Sequence, residues 1–362
     1  MNTTLFMSFR QWPCTFGVMA YAILFSAAFF AGHELSFAMA DAGIWHGQFW
    51  RFLTSCLIHG DIYHLVFNLY WLVELGRPIE SRYGSLRAGL LMVFLAAGSG
   101  AAQFLASGTG GIGLSGVGYG FFGLLWATRG NERGTGYLLA NRTIGLFVGW
   151  FFLCLATTFV GVWKVGNIAH ASGFVLGFLI GRSLVSGRPR IWVPAAILPA
   201  ILLVVSTLYM PWSYLWWWEK GSDALEHGAH DHSRQYWVRA VEKAADDHKV
   251  EPLLQALGHE AFNHEDYDQA IQYYRRAIRA SDSPGIHRAY LAYALFAKDE
   301  TDAAREVASG LQDSDLDSFL QGIPDFVAFV SQARAAAPIT GFRKSGSQFN
   351  RQASSHPSID AE

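Results

Sequence analysis

The chain has 362 residues, long enough for two domains, and its charge is unevenly spread. Residues 1–218 carry 12 Lys/Arg against 6 Asp/Glu, a net of +6, while residues 219–362 carry 15 against 23, a net of −8. The first half is too poor in charge and too apolar for an ordinary soluble domain; the second reads as soluble and acidic, and no basic run points to nucleic acid. The three cysteines, Cys14, Cys56 and Cys154, follow no zinc or redox spacing.

Seven apolar runs follow in chain order, at roughly 14–38, 62–76, 87–107, 115–128, 143–161, 166–185 and 191–213. Four or five reach the ~20 residues that a helix needs to cross the hydrocarbon core. The second and fourth are shorter. Short spans bounded by glycine tend to start or stop at mid-depth beside a water-filled cavity, so these two are expected to wall a site. The first run follows Arg10. Ala38-Met39-Ala40 resembles a signal cleavage site, but the run is too long for a signal core of roughly 7–15 residues, so it is expected to stay as the first span.

Placing the N-terminus in the cytoplasm puts ten basic residues there: Arg10, Arg77, Arg82, Arg87, Arg129, Arg133, Arg142, Arg182, Arg188 and Arg190. Arg51 and Lys164 fall on the other side. The positive-inside rule favours this orientation. Seven spans then leave the acidic C-terminal region on the non-cytoplasmic side.

Polar side chains are costly in a bilayer, and three clusters call for a reason. HGDIYHLVFN supplies His59, His64 and Asn68; His64 and Asn68 are four apart and share a helix face. GIGLSGVGYG supplies Gly113, Ser115, Gly116 and Tyr119 after a stretch too glycine-rich to be helical, so Ser115 sits near the start of the fourth span. Unpaired backbone N–H groups at a helix start favour a developing negative charge. NIAHASGFVLGFLIG places His170 in an apolar run, with Gly173, Gly177 and Gly181 forming a four-residue ladder. Such a ladder lets helices pack closely. Ser115-Gly116 and Gly120 offer a matching small face, which would bring His170 near Ser115.

A serine hydroxyl becomes nucleophilic when a neighbouring base takes its proton, and neutral histidine suits that task. His64, Asn68 and the Ser115 backbone N–H are candidate donors to the oxyanion. No carboxylate lies near His170 at membrane depth, so the pair reads as a dyad. Taken singly, each residue has a plainer reading. Ser115 would be a helix N-cap, His170 and Asn68 contacts between helices, and the glycines packing devices.

The order and spacing of these pieces resemble the rhomboid family of intramembrane serine proteases over roughly residues 45–182. The matching residues include Trp50-Arg51, His59, His64, Asn68, Glu80-Ser81-Arg82-Tyr83-Gly84, Gly113, Ser115-Gly116, Tyr119, Ala169-His170, Gly173 and Gly177. The resemblance implies that Ser115 is the nucleophile and His170 the base. It assigns His64, Asn68 and Ser115 to the oxyanion hole and Tyr119 to a stack on His170. His59 would be structural, in a hydrogen-bond network near the site, and Trp50-Arg51 would belong to a membrane-embedded first loop. It further implies single-span membrane protein substrates that enter from the lipid bilayer, and no metal or organic cofactor.

Residues 224–310 show amphipathic helical periodicity. LLQALGHEAFNHEDYDQAIQYYRRAIRASDSP resembles a tetratricopeptide repeat through Leu254, Leu257-Gly258, Ala261, Ala270, Tyr274 and Ala277, with Pro284 about two residues late. A shift of 34 places Ala304 and Ala308 under Ala270 and Tyr274. A helix around Gln235–Ala245 reads as a degenerate copy or a cap. Such repeats bind protein segments on a concave face. His227, His230 and His232 beside Asp231 read as a polar linker rather than a metal site.

The expected fold is therefore all-α. A rhomboid-like six-helix membrane core with one extra C-terminal span precedes a soluble helical-repeat domain. The expected parts are the N-terminus and first span (1–44), the catalytic core (45–186), the seventh span (187–218), the helical domain (219–337) and a disordered tail (338–362). A bacterial inner membrane is the expected location. The competing functions are a non-catalytic binder or escort of membrane proteins, and a transporter using membrane histidines. The intact Ser115/His170 pair argues against the first. The second leaves Ser115 unexplained, and the spans lack a carboxylate pair.

Overall fold

A computed structural model describes residues 9–131 and 139–336; Arg133 and the expected tail at 338–362 lie outside the described residues. Regular structure among the described residues is helical throughout. The chain divides into two compact units, residues 1–253 and 254–362.

In the first unit, α1 (Pro13–Phe30) starts with proline at its first position, where the missing N–H costs nothing. Short helical turns and α2 (Arg51–Thr54) follow. Then come α3 (Ile62–Tyr83), α4 (Ser85–Ser107), α5 (Ser115–Ala127), α6 (Asn141–Phe159), α7 (Asn167–Val185) and α8 (Pro189–Ser206). Five of these, α1, α4, α6, α7 and α8, are long and apolar enough to cross a membrane. Large apolar side chains on them face outward, among them Leu24, Phe152, Leu198 and Leu202. An apolar surface of that kind suits lipid rather than water, and the protein is an integral membrane protein.

The fourth span is short, as the sequence suggests. The 13 residues of α5 rise only about 20 Å against a hydrocarbon core of about 30 Å. The second is not short. α3 runs for 22 residues through Pro78, well past the expected end at 76. The polar residues that close its apolar run are used against the start of α1. Glu80 is buried and accepts from the Cys14 N–H at 2.9 Å, the Thr15 N–H at 2.8 Å and the Thr15 hydroxyl at 2.7 Å. These N–H groups belong to the first turn of α1, which has no intrahelical partner for them. Arg77 lies over the Trp12 ring, 4.1 Å from its centroid, and the Trp12 indole donates to Ser81 Oγ at 2.6 Å. Charge here extends α3 by tying it to α1.

The closest helix pair is α5 and α7. A Cβ added at Gly173 would strike the Gly116 carbonyl oxygen, one at Gly177 that of Gly120, and one at Gly181 that of Leu124. From the other side, a Cβ on Gly123 would strike the Phe174 carbonyl oxygen. Each step of four on α7 meets a step of four on α5 in the same direction, so the two helices run parallel with backbones in contact. Around them Leu72, Leu95, Val117, Phe121, Leu124 and Leu176 form a buried core.

After α8, helices α9 (Tyr214–Glu226) and α10 (His230–Lys243) form a hairpin. Gly221 admits the Trp237 ring, and Arg239 lies over Trp217 at 4.7 Å. His46 Nε2 contacts Glu219 Oε1 at 2.8 Å, tying this hairpin to the first loop. The first compact unit thus continues beyond residue 219, where charge composition alone places the start of the soluble domain. His227 pairs with Asp223 one turn away, and among the described residues no three His, Cys, Asp or Glu side chains converge as a metal site.

The second unit begins within α11 (Glu251–Asn263) and continues with α12 (Tyr267–Ala280), α13 (Gly285–Ala297), α14 (Thr301–Ala308), α15 (Ser318–Gln321) and α16 (Pro324–Ala336). The starts of α11 and α13, and of α12 and α14, are each 34 residues apart. So are Glu265 and Asp299, the two non-glycine residues with positive φ among the described residues, at 61° and 64°. Both end a helix in the same way: Asp266 N–H returns to Ala261 O and Glu300 N–H to Leu295 O. Ala261, Ala270, Tyr274, Ala277, Ala304 and Ala308 are all buried. Gly258 leaves room for the Tyr274 ring.

The α5–α7 contact yields a stability prediction. Gly177→Ala should destabilise the protein by about 1–3 kcal/mol, because the new methyl meets backbone that cannot move aside. Gly145→Ala, on an open face of α6, should cost nothing. Thermal unfolding in detergent would check both, and equal midpoints for the two variants would contradict the packing described.

Candidate active site

Ser115 opens α5 and His170 lies in the first turn of α7. Because the helices are parallel, both residues sit at the same end of the pair. The Ser115 hydroxyl and His170 Nε2 are 2.8 Å apart. Ser115 is not the N-cap of its helix; Leu114 holds that position. The hydroxyl is therefore free of capping and pairs with the imidazole instead. His170 is only 3 % exposed.

Tyr119, one turn beyond Ser115, stacks on His170 with ring centroids 4.6 Å apart and planes inclined at 21°. Its hydroxyl donates to the Phe147 carbonyl oxygen of α6 at 3.1 Å. The Tyr119 ring thus bridges α6 to the imidazole and limits its tilt.

His59 is fully buried. Its Nε2 accepts the Leu114 N–H at 3.4 Å, so the ring proton belongs on Nδ1, which faces Ser26 Oγ at 3.1 Å. The Ser26 hydroxyl in turn donates to the Leu57 carbonyl oxygen at 3.2 Å. The chain of bonds holds the residue before Ser115 against α1. The His64 ring packs edge-on against His59, centroids 4.9 Å apart. Gly113 has a φ of +95°, and a Cβ there would lie 2.6 Å from the His64 ring. Both the backbone angle and the space call for glycine. Asp61 caps α3 by accepting from the His64 N–H at 2.8 Å.

Asn68 is buried one turn along α3, and its Nδ2 donates to the His64 carbonyl oxygen at 2.9 Å. The structure thus gathers Ser115, His170, Tyr119, His64, His59 and Gly113 at one place, with Gly116 and Gly173 beneath them as the contact between helices. Asn68 stands behind His64, its amide bonded within its own helix. Arg51 lies in the first loop, where it donates to the Ser36 and Met39 carbonyls and pairs with Asp41 at 2.7 Å. Trp50 beside it is exposed.

Several contributors escape sequence reasoning. Gln103 Oε1 accepts the Ala169 N–H at 3.3 Å, capping the first turn of α7. Ser26 orders His59. Both are polar residues inside apolar runs, which is the signal that could have found them. Phe147 gives no such signal, since it acts through its backbone.

A hydroxyl within hydrogen-bonding reach of a buried imidazole, at a helix start, can lose its proton to that imidazole and attack a carbonyl. The first-turn N–H groups of α5 have no intrahelical acceptors and can face an oxyanion. Comparison with known proteins gives the following matches. Residues 46–187 match the Rhomboid domain family model. Rhomboid protease GlpG of Photorhabdus laumondii is 36 % identical over 140 residues, covering 37 % of this chain and 47 % of that protein. GlpG of Yersinia pestis (strain Pestoides F) is 35 % identical over 138 residues, covering 37 % and 47 %. GlpG of Pectobacterium atrosepticum is 34 % identical over 133 residues, covering 37 % and 48 %. The chain spans about half the length of these relatives. The rhomboid match holds every residue gathered around Ser115 except Ser26, which comes from α1.

The ring and the hydroxyl of Tyr119 make separable contacts. Tyr119→Phe should keep the stack and lose one hydrogen bond, costing about 1 kcal/mol of stability. Tyr119→Ala should free the imidazole and slow the reaction of Ser115 with a fluorophosphonate probe. Equal labelling rates in the two variants would show that the stack does not position His170.

Proposed function

We propose that the protein is an intramembrane serine endopeptidase that cuts single-span membrane proteins, with Ser115 as nucleophile and His170 as general base. The observation that carries this reading is the 2.8 Å contact between Ser115 Oγ and His170 Nε2 at the start of a short helix. His170 takes the hydroxyl proton as Oγ attacks the peptide carbonyl, then gives it to the departing amine. Water, deprotonated by the same imidazole, hydrolyses the acyl-enzyme. His64, Asn68 and the Ser115 backbone N–H are the proposed donors to the oxyanion. Asn68 Nδ2 spends one N–H on His64 O, and its second N–H is the one proposed to face the oxyanion. His59 is proposed as structural support.

In this reading α1 and α3–α7 make a six-helix rhomboid core, and α8 is an added seventh span. The short α5 leaves a water-filled depression above Ser115, which opens to the non-cytoplasmic side. Substrate helices enter laterally from lipid and unwind to expose a peptide bond. No cofactor takes part. The protein is placed in a bacterial inner membrane, with its N-terminus in the cytoplasm and its C-terminal unit outside. That unit is proposed to be tetratricopeptide-like, on the strength of its 34-residue helical period, and to select substrates by binding their protein segments.

Purified protein in liposomes with a tagged single-span reporter tests the chemistry. Ser115→Ala and His170→Ala should abolish cleavage, and Asn68→Ala should slow it by up to about 10²–10³-fold. Cleavage that survives Ser115→Ala would refute the assignment. Failure of wild type to cleave any of a panel of reporters, with no labelling of Ser115, would favour a membrane-protein escort.

The role of the second unit can be tested separately. Truncation after residue 253, which keeps the first compact unit whole, should leave cleavage of a generic reporter intact and change the choice among natural substrates. Loss of all activity would show that the second unit is part of the catalytic machinery.

A further inference from the structure

His170 engages Ser115 through Nε2. For the hydroxyl to donate there, Nε2 must be unprotonated, and the ring proton then sits on Nδ1. That Nδ1 is buried with no hydrogen-bonding partner among the described residues. The first turn of α7 holds a second such atom. Asn167 Oδ1 is buried and equally without a partner. One atom is a donor lacking an acceptor; the other is an acceptor lacking a donor.

The orientation of the Asn167 amide follows from its neighbour on α6. The Thr158 hydroxyl donates to the Cys154 carbonyl oxygen at 2.8 Å, so its oxygen is left to accept. Asn167 Nδ2 supplies that bond at 2.8 Å. The amide nitrogen is thereby committed to Thr158, and the oxygen remains for something else. Residues three apart on a helix are neighbours, with Cβ atoms roughly 5–6 Å apart. A buried donor and a buried acceptor on side chains one turn apart can share one water molecule that hydrogen-bonds to both.

We infer that Asn167 is a positioning residue for His170, its Oδ1 accepting the Nδ1–H of the imidazole through one bridging water. The inference rests on the reading of His170 as the base. The water-mediated bond from Asn167 fixes the ring's tautomer and plane, the task a carboxylate performs in a triad; the Thr158 contact sets only which way the amide faces. Tyr119 holds the face of the ring; Asn167 holds its far edge. Other groups facing the imidazole are Ser115 and Tyr119 from α5 and His64 from α3, with Cys154 of α6 beyond Tyr119. None of these is a carboxylate.

The test compares full-length wild type, Asn167→Leu, Asn167→Asp, Thr158→Val and Ser115→Ala in liposomes. It reads kcat and KM for a single-span reporter against pH, and fluorophosphonate labelling of Ser115 independently. Asn167→Leu removes the acceptor and should lower kcat roughly tenfold to a hundredfold with KM unchanged. That is less than the ~10⁴-fold that follows loss of the charged orienting residue of a triad. Asn167→Asp should recover much of that loss. It should also move the acid limb of the pH profile to higher pH, because a negative charge nearby favours the protonated imidazole. Thr158→Val should stay within a few-fold of wild type.

Wild-type kcat in Asn167→Leu would overturn the inference, as would an unmoved acid limb in Asn167→Asp. A loss in Thr158→Val as large as in Asn167→Leu would do so too, because the asparagine would then act only by tying α7 to α6. These outcomes in a wild type that cleaves and is labelled at Ser115 remove the positioning role alone. A wild type that neither cleaves nor labels removes the protease reading beneath it.

Discussion

The first unit depends on one constraint, the backbone contact between α5 and α7. A Cβ on Gly173, Gly177 or Gly181 would collide with the carbonyl oxygen of Gly116, Gly120 or Leu124, and one on Gly123 with that of Phe174. Water gives helices little incentive to associate once both are in lipid, so close van der Waals packing must do that work. The contact also fixes direction and register. Two parallel helices in step bring their first turns together, and those turns carry Ser115 and His170. A slip of one residue would turn His170 away from the hydroxyl by about 100°.

Polar side chains then divide their labour by depth. Glu80, Arg77 and Ser81 bind the start of α1 at one end of the bundle. At the other, Arg51 gathers the first loop through two carbonyls and Asp41. Between these, His59 with Ser26, Gln103 with the start of α7, and Tyr119 with Phe147 each anchor a segment next to the site. Each of these contacts supplies a bond that lipid cannot supply. These bonds fix the segments around one pair, Ser115 and His170, whose side chains face each other.

The second unit is built on a different plan. Its helices repeat every 34 residues, and the repeat extends to the positive-φ residues that close the first helix of each pair, Glu265 and Asp299. Small residues at helix crossings, Ala270 and Ala304 among them, let neighbouring helices pack. Local sequence is sufficient for this, because every helix packs against one a short turn away.

The sequence alone determined the helical class, the apolar spans, the short fourth helix and the glycine ladder, because each is a local property of composition or of period 4. It also singled out Ser115, His170, His64, Asn68, His59 and Tyr119, since polar residues in apolar runs stand out. Local composition misjudged α3, whose charged C-terminal turns look like a loop until Glu80 is seen bonded to the start of α1. Composition places the start of a soluble domain at 219; Gly221, Trp237 and the His46–Glu219 contact group the following hairpin with the first unit. Only the tertiary structure decided that Ser115 Oγ meets His170 Nε2, that Leu114 rather than Ser115 caps α5, and that Gln103 and Asn167 stand beside the site. Those facts concern atoms up to 66 positions apart in the chain, and pairing at that distance is set by packed helices, not by any window of sequence.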